Sequence, residues 1–271
     1  MNSILQRQNS SNRQINIATE SSIEGKLDGK NVVITGAGSG IGASVVAASV
    51  KQGAKTIGLD IDATRGKQIV ETAGGIFYPC DVSQNASWEV ITKSLASTIG
   101  HIDHLHLNAG IQIAPPDAAL QEYKFGSLRI DRYRKMMGVN VDGVVLGLHH
   151  LLPLMKRGGS IVVTGSLAGV VPYDIDPLYA MSKHAVTGLV RSLKWELREQ
   201  GLRINALCPG GIDTGIIPND QRTDDAIFMH PDHVAGEVMA LFETAESGAT
   251  WAKVATSKPA YIMYPPGKRR D

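Results

Sequence analysis

The sequence predicts a single-domain α/β fold: a doubly wound parallel sheet covered by helices on both faces. Three observations predict it. Short β-branched runs alternate with longer runs of helical period from residue 31 onward. Strands joined in that way need crossover helices and lie parallel. The first strand also runs into a glycine-rich turn that opens a helix. The 271 residues suit one such unit, and neither an internal repeat nor an interdomain linker breaks them.

The elements follow in order. "NVVITG" (31–36) is a strand, and "IGASVVAASVKQG" (41–53) a helix stopped by glycine. "KTIGLD" (55–60) is the second strand and "ATRGKQIVETAG" (63–74) the second helix. A third strand lies within 75–82, a helix over 87–100 and a fourth strand within 102–110. One long helix is expected over about 130–157, then a fifth strand over 159–166. A second long helix covers 178–201, and the sixth strand 202–210. The C-terminal part reads as a helix, a last strand and a tail.

Composition bounds the function. With 43% hydrophobic and 20% charged residues and a net charge of +1, nothing favours nucleic acid or an acidic surface as partner. Two distant cysteines, Cys80 and Cys208, fit neither a disulfide framework nor a metal site, so no metal is expected. No run of about 18 apolar residues occurs, so no membrane span is expected. Residues 1–24 read as a polar, flexible leader. They hold Arg7, Arg13 and several serines with no acid before Glu20, so organelle targeting is a second reading beside a cytoplasmic setting.

"TGAGSGIG" (35–42) carries the first chemistry. Its glycines let the backbone turn tightly and approach a pyrophosphate, while the following helix aims its free N–H groups at the same place. Gly36, Ser39, Gly40, Ile41 and Gly42 are the expected contacts. The spacing of Thr35, Gly36, Gly40 and Gly42 resembles that of the short-chain dehydrogenase/reductase family, which implies a Rossmann-type domain. Asp60 closes the second strand, where a carboxylate accepts from ribose hydroxyls and repels a 2′-phosphate. Its neighbours Leu59 and Ile61 supply no arginine, so NAD is expected rather than NADP, with Asp62 left to cap the next helix. Asp81 and Val82 follow the third strand at the position where the family meets adenine. Asn108 and Gly110 of "NAG" follow the fourth strand, as in the family.

"YAMSK" (179–183) places Tyr179 and Lys183 one helical turn apart, on one face. A free phenol is a poor base at neutral pH, and a nearby ammonium is expected to lower its pKa. Ser166 lies thirteen residues before the tyrosine, at the expected carboxyl edge of the sheet. Asn140 in "VNVDG" stands inside a predicted helix, although asparagine is a poor helix former. Together Asn140, Ser166, Tyr179 and Lys183 resemble the family's catalytic tetrad. That resemblance implies Tyr179 as acid and base, Ser166 orienting the reacting oxygen, Lys183 holding the nicotinamide ribose and Asn140 anchoring a water. "PGGIDTG" (209–215) resembles a further family motif, with Ile212 and Thr214 expected at the nicotinamide carboxamide.

The second half resembles the 15-hydroxyprostaglandin dehydrogenase-like branch, in "SLAGVVPYDIDPLYAMSKHAVTGLVRS" and "WAKVATSKPAYI". Where that branch has a substrate-binding glutamine, this chain has Asp176, so prostaglandin is not carried over. Gln112, Asp176 and Ile217 are the expected substrate contacts, and 215–232 the expected mobile lid. Leu167, Val170, Val171, Tyr173, Ile216, Phe228 and Met229 make the pocket apolar, with Asp174, His184 and His230 as polar additions. The expected reaction interconverts a medium-sized apolar secondary alcohol and its ketone with NAD. An NADPH-dependent carbonyl reductase and a non-catalytic NAD sensor are the alternatives. The family further implies a homodimer or homotetramer, paired through the two long helices.

Overall fold

The computed structural model describes residues 25–222 and 227–264. The expected leader, residues 223–226 of the expected lid and the tail from 265 lie outside the described residues. In chain order the first half comprises β1 (Asn31–Thr35), α1 (Gly40–Lys51), β2 (Lys55–Asp60), α2 (Ala63–Thr72), β3 (Ile76–Pro79), α3 (Asn85–Thr98) and β4 (Ile102–Leu107). The second half comprises α4 (Ile130–Met137), α5 (Gly143–Leu151), β5 (Met155–Thr164), α6 (Pro177–Glu199), β6 (Arg203–Pro209), α7 (Pro231–Glu243), β7 (Thr250–Lys253) and β8 (Tyr261–Ile262).

One sheet carries the strands in the order β3-β2-β1-β4-β5-β6-β7-β8. Its chain order reverses between β1 and β4, and such a switch point opens a crevice at the carboxyl ends of the strands. Side chains alternate across the sheet, so β1 is buried on both faces. Val33 joins Trp88, Leu105, Leu148 and Val190 in the core under α3, α5 and α6. Val32 and Ile34 join Val46, Val238, Phe242 and Trp251 in the core under α1 and α7.

Three elements depart from expectation. The long helix of 130–157 is broken: α4 passes through a π-helical turn, Gly138–Asp142, into α5, and a short 3-10 turn, Leu152–Leu154, ends it. Pro153 sits in that turn, where it lacks an N–H to continue the helix. β5 therefore starts at Met155, with a register shift before its continuous pairing with β4 resumes at His104 and Ser160. The last strand is two, and β8 runs antiparallel to β7, so the sheet is not wholly parallel. Residues 254–260 are too few for the crossover that a parallel return needs. Among the described residues, no helix is long and apolar enough to cross a membrane.

β4 carries two buried histidines. His104 Nδ1 lies 2.8 Å from Ser160 Oγ, and its ring stacks on Phe242 at 4.7 Å. His106 Nε2 lies 2.8 Å from Thr164 Oγ1, whose hydroxyl donates to Asn108 Oδ1; the histidine must therefore be the donor of its own bond. Burial lowers the pKa of His104 to about 4 and of His106 to about 3, from 6.5. Below the ordinary value the unfolded chain takes up protons that the folded chain refuses, so stability falls as pH drops from 6.5 toward those values. Each histidine contributes a slope of about 1.4 kcal/mol per pH unit in that window. Denaturant unfolding between pH 7 and 4 is expected to reveal this slope, and His106→Gln, which keeps a donor, to remove about half of it.

Candidate active site

The carboxyl edge of the sheet brings the expected residues together. After β1 the chain turns through Gly36 to Ser39 into α1. Gly40 has φ +49°, and a Cβ there would lie 2.8 Å from Thr214 Cγ2, so the glycine turn packs directly on the loop after β6. Neither the Ser39 side chain nor an acidic residue in the first turn caps α1, which leaves the N-terminus of that helix suited to an anion. Gly42 and Ile41 lie in that first turn.

Asp60 stands at the end of β2, as expected, and also braces the glycine turn. Its Oδ2 accepts from Gly38 N at 2.8 Å and its Oδ1 from Asp62 N at 2.9 Å. Asp62 caps α2 through Arg65 N. Beside them, Ile61, Asp81, Ser83, Arg134 and Val139 line a cavity of about 430 Å³. Ile61 is 67% exposed there, and Asp81 Oδ1 accepts from both Ser83 N and Ser83 Oγ. Val82 is buried, its carbonyl taken by Trp88 Nε1 at 2.8 Å. Asn108 ties three strand ends: its N–H donates to Thr35 Oγ1, its Nδ2 to Thr35 O, and its Oδ1 accepts from Thr164 Oγ1.

Tyr179 and Lys183 share the buried face of α6, 8% and 3% exposed. Lys183 Nζ donates to Thr164 O at 2.9 Å and lies 5.7 Å from the centre of the Tyr179 ring. Ser166 lies beyond β5 rather than on it. It opens a 3-10 turn, Leu167–Gly169, with Oγ accepting from Ala168 N, and it acts on the Tyr179 phenol by lowering its pKa. Burial brings Lys183 down to about 8, so it stays protonated at neutral pH. Burial pushes the Tyr179 phenol up, against a lowering influence of Ser166. Desolvation is the largest influence on the phenol, and the Lys183 ammonium beside it is committed to Thr164 O.

Asn140 lies in the π-helical turn and is buried. Its Oδ1 accepts from Ile111 N at 2.8 Å, and its Nδ2 donates to Ile111 O at 2.9 Å and to Ser182 Oγ at 3.0 Å. Ser182 Oγ donates in turn to Tyr179 O at 2.7 Å. Both amide hydrogens therefore go to protein acceptors, and only Oδ1 keeps capacity for a water. A Cβ on Gly110 would lie 3.3 Å from Lys183 Nζ and 3.5 Å from Asn140 Oδ1, so glycine there keeps a side chain from crowding both groups.

The substrate-side expectations divide. Asp176 is 2% exposed, and its carboxylate accepts from Tyr179 N at 2.9 Å and Ile113 N at 3.3 Å. It caps α6 and braces the loop after β4, so it is not the open substrate contact expected; burial raises its pKa, partly offset by those N–H groups. Gln112 is buried in that same loop. Ile217 is half-buried and donates its N–H to Thr214 O, while Ile216 packs in the cluster around Tyr179. The described part of the expected lid is fastened: Arg222 pairs with Asp213 at 2.7 Å and donates to Thr214 O, and Leu120 N donates to Asp220 Oδ2 at 3.0 Å. Ile212 is buried and bridged to Met229. His230 caps α7 through Nδ1, and His184 Nδ1 lies 2.9 Å from Ala180 O. Sequence reasoning missed Thr164, Arg132 and Ser182. Only Ser182 had a local signal, a hydroxyl three residues after Tyr179, within reach of its carbonyl.

Comparison with known proteins agrees with this geometry. The family model described as short chain dehydrogenase matches residues 30–225. A 2,5-dichloro-2,5-cyclohexadiene-1,4-diol dehydrogenase of Sphingobium indicum is 32% identical over 232 residues, 83% of this chain and 90% of the relative. The mitochondrial borneol dehydrogenase of Lavandula x intermedia is 33% identical over 224 residues, 82% of this chain and 83% of the relative. In structure, the 3-ketoacyl-(acyl-carrier-protein) reductase of Brucella melitensis, crystallised with NADH, superposes with a TM-score of 0.75 at 25% identity, covering 84% of this chain and 98% of that one. The glycine turn, the Ser166–Tyr179–Lys183 cluster and a match across most of the sheet lead to one assignment: this chain belongs to the short chain dehydrogenase family, and it is an oxidoreductase fold of that kind rather than a chance assembly of glycine turn and helix.

Proposed function

We propose that the protein interconverts a secondary alcohol and its ketone with NAD, with Tyr179 carrying the proton. The observation that carries this reading is the buried pair on α6, in which Lys183 Nζ lies 5.7 Å from the centre of the Tyr179 ring, with Ser166 acting on the same phenol. The relatives named for a cyclohexadienediol and for borneol support alcohol oxidation, and the NADH in the Brucella reductase supports a nicotinamide cofactor.

The residues present fit a dinucleotide. The uncapped N-terminus of α1 suits a pyrophosphate, and glycine at 110 keeps a side chain from crowding Lys183 Nζ, which would hold a ribose hydroxyl. Asp60 keeps lone pairs for ribose hydroxyls after bracing Gly38 N, and its charge opposes a 2′-phosphate. When bound, the nicotinamide supplies two-electron redox chemistry. The chain supplies the rest. Tyr179 Oη takes the hydroxyl proton in oxidation and returns it to the ketone oxygen in reduction. Ser166 Oγ holds the reacting oxygen against the phenol, and the Lys183 ammonium favours the phenolate when Tyr179 gives up its proton. Ile212 and Thr214 orient the carboxamide end. The apolar rim of Ile216, Tyr173 and Ile111 around Tyr179 excludes water and suits a medium-sized apolar substrate. In this reading a second copy covers the exposed Val145 of α5 and the exposed Met181 and Trp195 of α6.

Four outcomes test the proposal. Tyr179→Phe should lower turnover of secondary alcohols by about 10²–10⁴-fold while NAD affinity, read by fluorescence titration, holds. Full activity in that variant would sink the mechanism. Because burial raises the phenol, oxidation should speed up and reduction slow down as pH rises, in rate profiles run in both directions. NAD should surpass NADP in kcat/KM by about tenfold or more, and Asp60→Ala should narrow that gap. Light scattering should give a mass of two or four chains, and Trp195→Glu should shift it toward one.

A further inference from the structure

Gln112 is 6% exposed, and its Oε1 is buried with no hydrogen-bond partner among the described residues. Native structures hold few such groups, and each needs a reason. The loop cannot turn to relieve it. Ile111 N–H and C=O are both held by Asn140, at 2.8 and 2.9 Å. Ile113 N–H is held by Asp176 at 3.3 Å, and Ile113 C=O by Arg132 Nε at 3.1 Å. Four bonds thus fix the backbone on either side of Gln112.

The anchors belong to the catalytic cluster. Asn140 reaches Tyr179 O through Ser182, and Asp176 caps Tyr179 N. Ile113 packs in one cluster with Tyr179, Leu178 and Ala168. Gln112 is therefore held in fixed register with the tyrosine, with its amide carbonyl unpaired. We propose that Gln112 is a specificity-determining residue that reads a second oxygen function on the substrate, so that the preferred substrate is a diol or hydroxyketone rather than a simple alcohol. This rests on the reading of Tyr179 as the acid and base for a secondary alcohol. A hydroxyl is the matching group, because a carboxamide both donates and accepts, and a hydroxyl answers either end whichever way the amide is turned. A carboxylate would be repelled by Asp176, and an ammonium would be desolvated beside a carboxylate already engaged by two N–H groups.

The test compares wild type with Gln112→Met, which keeps length and removes the amide. Cyclohexanediol and cyclohexanol serve as the substrate pair with NAD, and the same two serve as ligands of the NADH-loaded protein in thermal melts. In wild type the diol should exceed the mono-alcohol in kcat/KM by about tenfold or more, and the variant should lose about that factor for the diol while holding the mono-alcohol within about twofold. The extra rise in Tm that the diol gives the NADH-loaded protein should vanish in the variant. Without ligand, the variant should melt at or above wild type, since an unpaired buried carbonyl is gone. Equal effects on both alcohols, no effect on either, or a ligand-free Tm several degrees below wild type would each overturn the proposal. If wild type turns over neither alcohol, the reading of the reaction fails, and the melts still decide Gln112: a diol-specific rise lost in the variant supports it, and its absence in wild type overturns it.

Discussion

A buried ammonium needs acceptors, and at Lys183 that need organises the catalytic edge. Nζ is cut off from water and bonded to Thr164 O, the last carbonyl of β5. The Thr164 hydroxyl is bonded to Asn108 and His106, so the residue that holds the lysine is locked to β4 as well. Asn108 carries the tie on to Thr35 at the end of β1. The end of β1 leads into the glycine turn. One hydrogen-bonded chain thus runs from the glycine turn after β1 to Lys183 on α6. Displacing any link would leave a buried polar group unpaired, which is why the edge is rigid.

The second support is the π-helical turn. One extra residue in the turn places Asn140 against the backbone of Ile111 rather than in a regular helix register. From there the amide reaches Ser182 and, through it, the carbonyl of Tyr179. Asp176 meets the same loop from the other side and caps the turn that carries Tyr179. The tyrosine and the loop after β4 are therefore one unit. Asparagine is tolerated here, despite its low helix propensity, because its amide satisfies backbone groups that have no other partner.

Asp60 shows a carboxylate used twice. It closes the glycine turn by accepting from Gly38 N and Asp62 N, and it sets the charge next to the cavity of Ile61 and Asp81. Charge and brace cannot be separated: the oxygen that shapes the turn belongs to a carboxylate, so any change of that charge also changes the turn.

Much of this was legible in the sequence, for local reasons. Alternating β-branched and helical runs identify the strands and helices, because side-chain period is a property of neighbouring residues. The glycine turn, the helical spacing of Tyr179 and Lys183, and the cap at Asp62 are local in the same sense. The break in the long helix was partly legible in Pro153, while the reversal at β8 was not. What only the tertiary structure decided is what distant segments do to one another. It turned Asp176 from a substrate contact into a cap and brace, because its partners Tyr179 and Ile113 lie on different elements. It buried the phenol of Tyr179, which pushes its pKa up, because burial depends on the whole core. It left the amide of Gln112 unpaired, because four bonds from Asn140, Asp176 and Arg132 meet around it. Sequence spacing determines which groups share an element; desolvation and pairing are set by the neighbours that folding supplies.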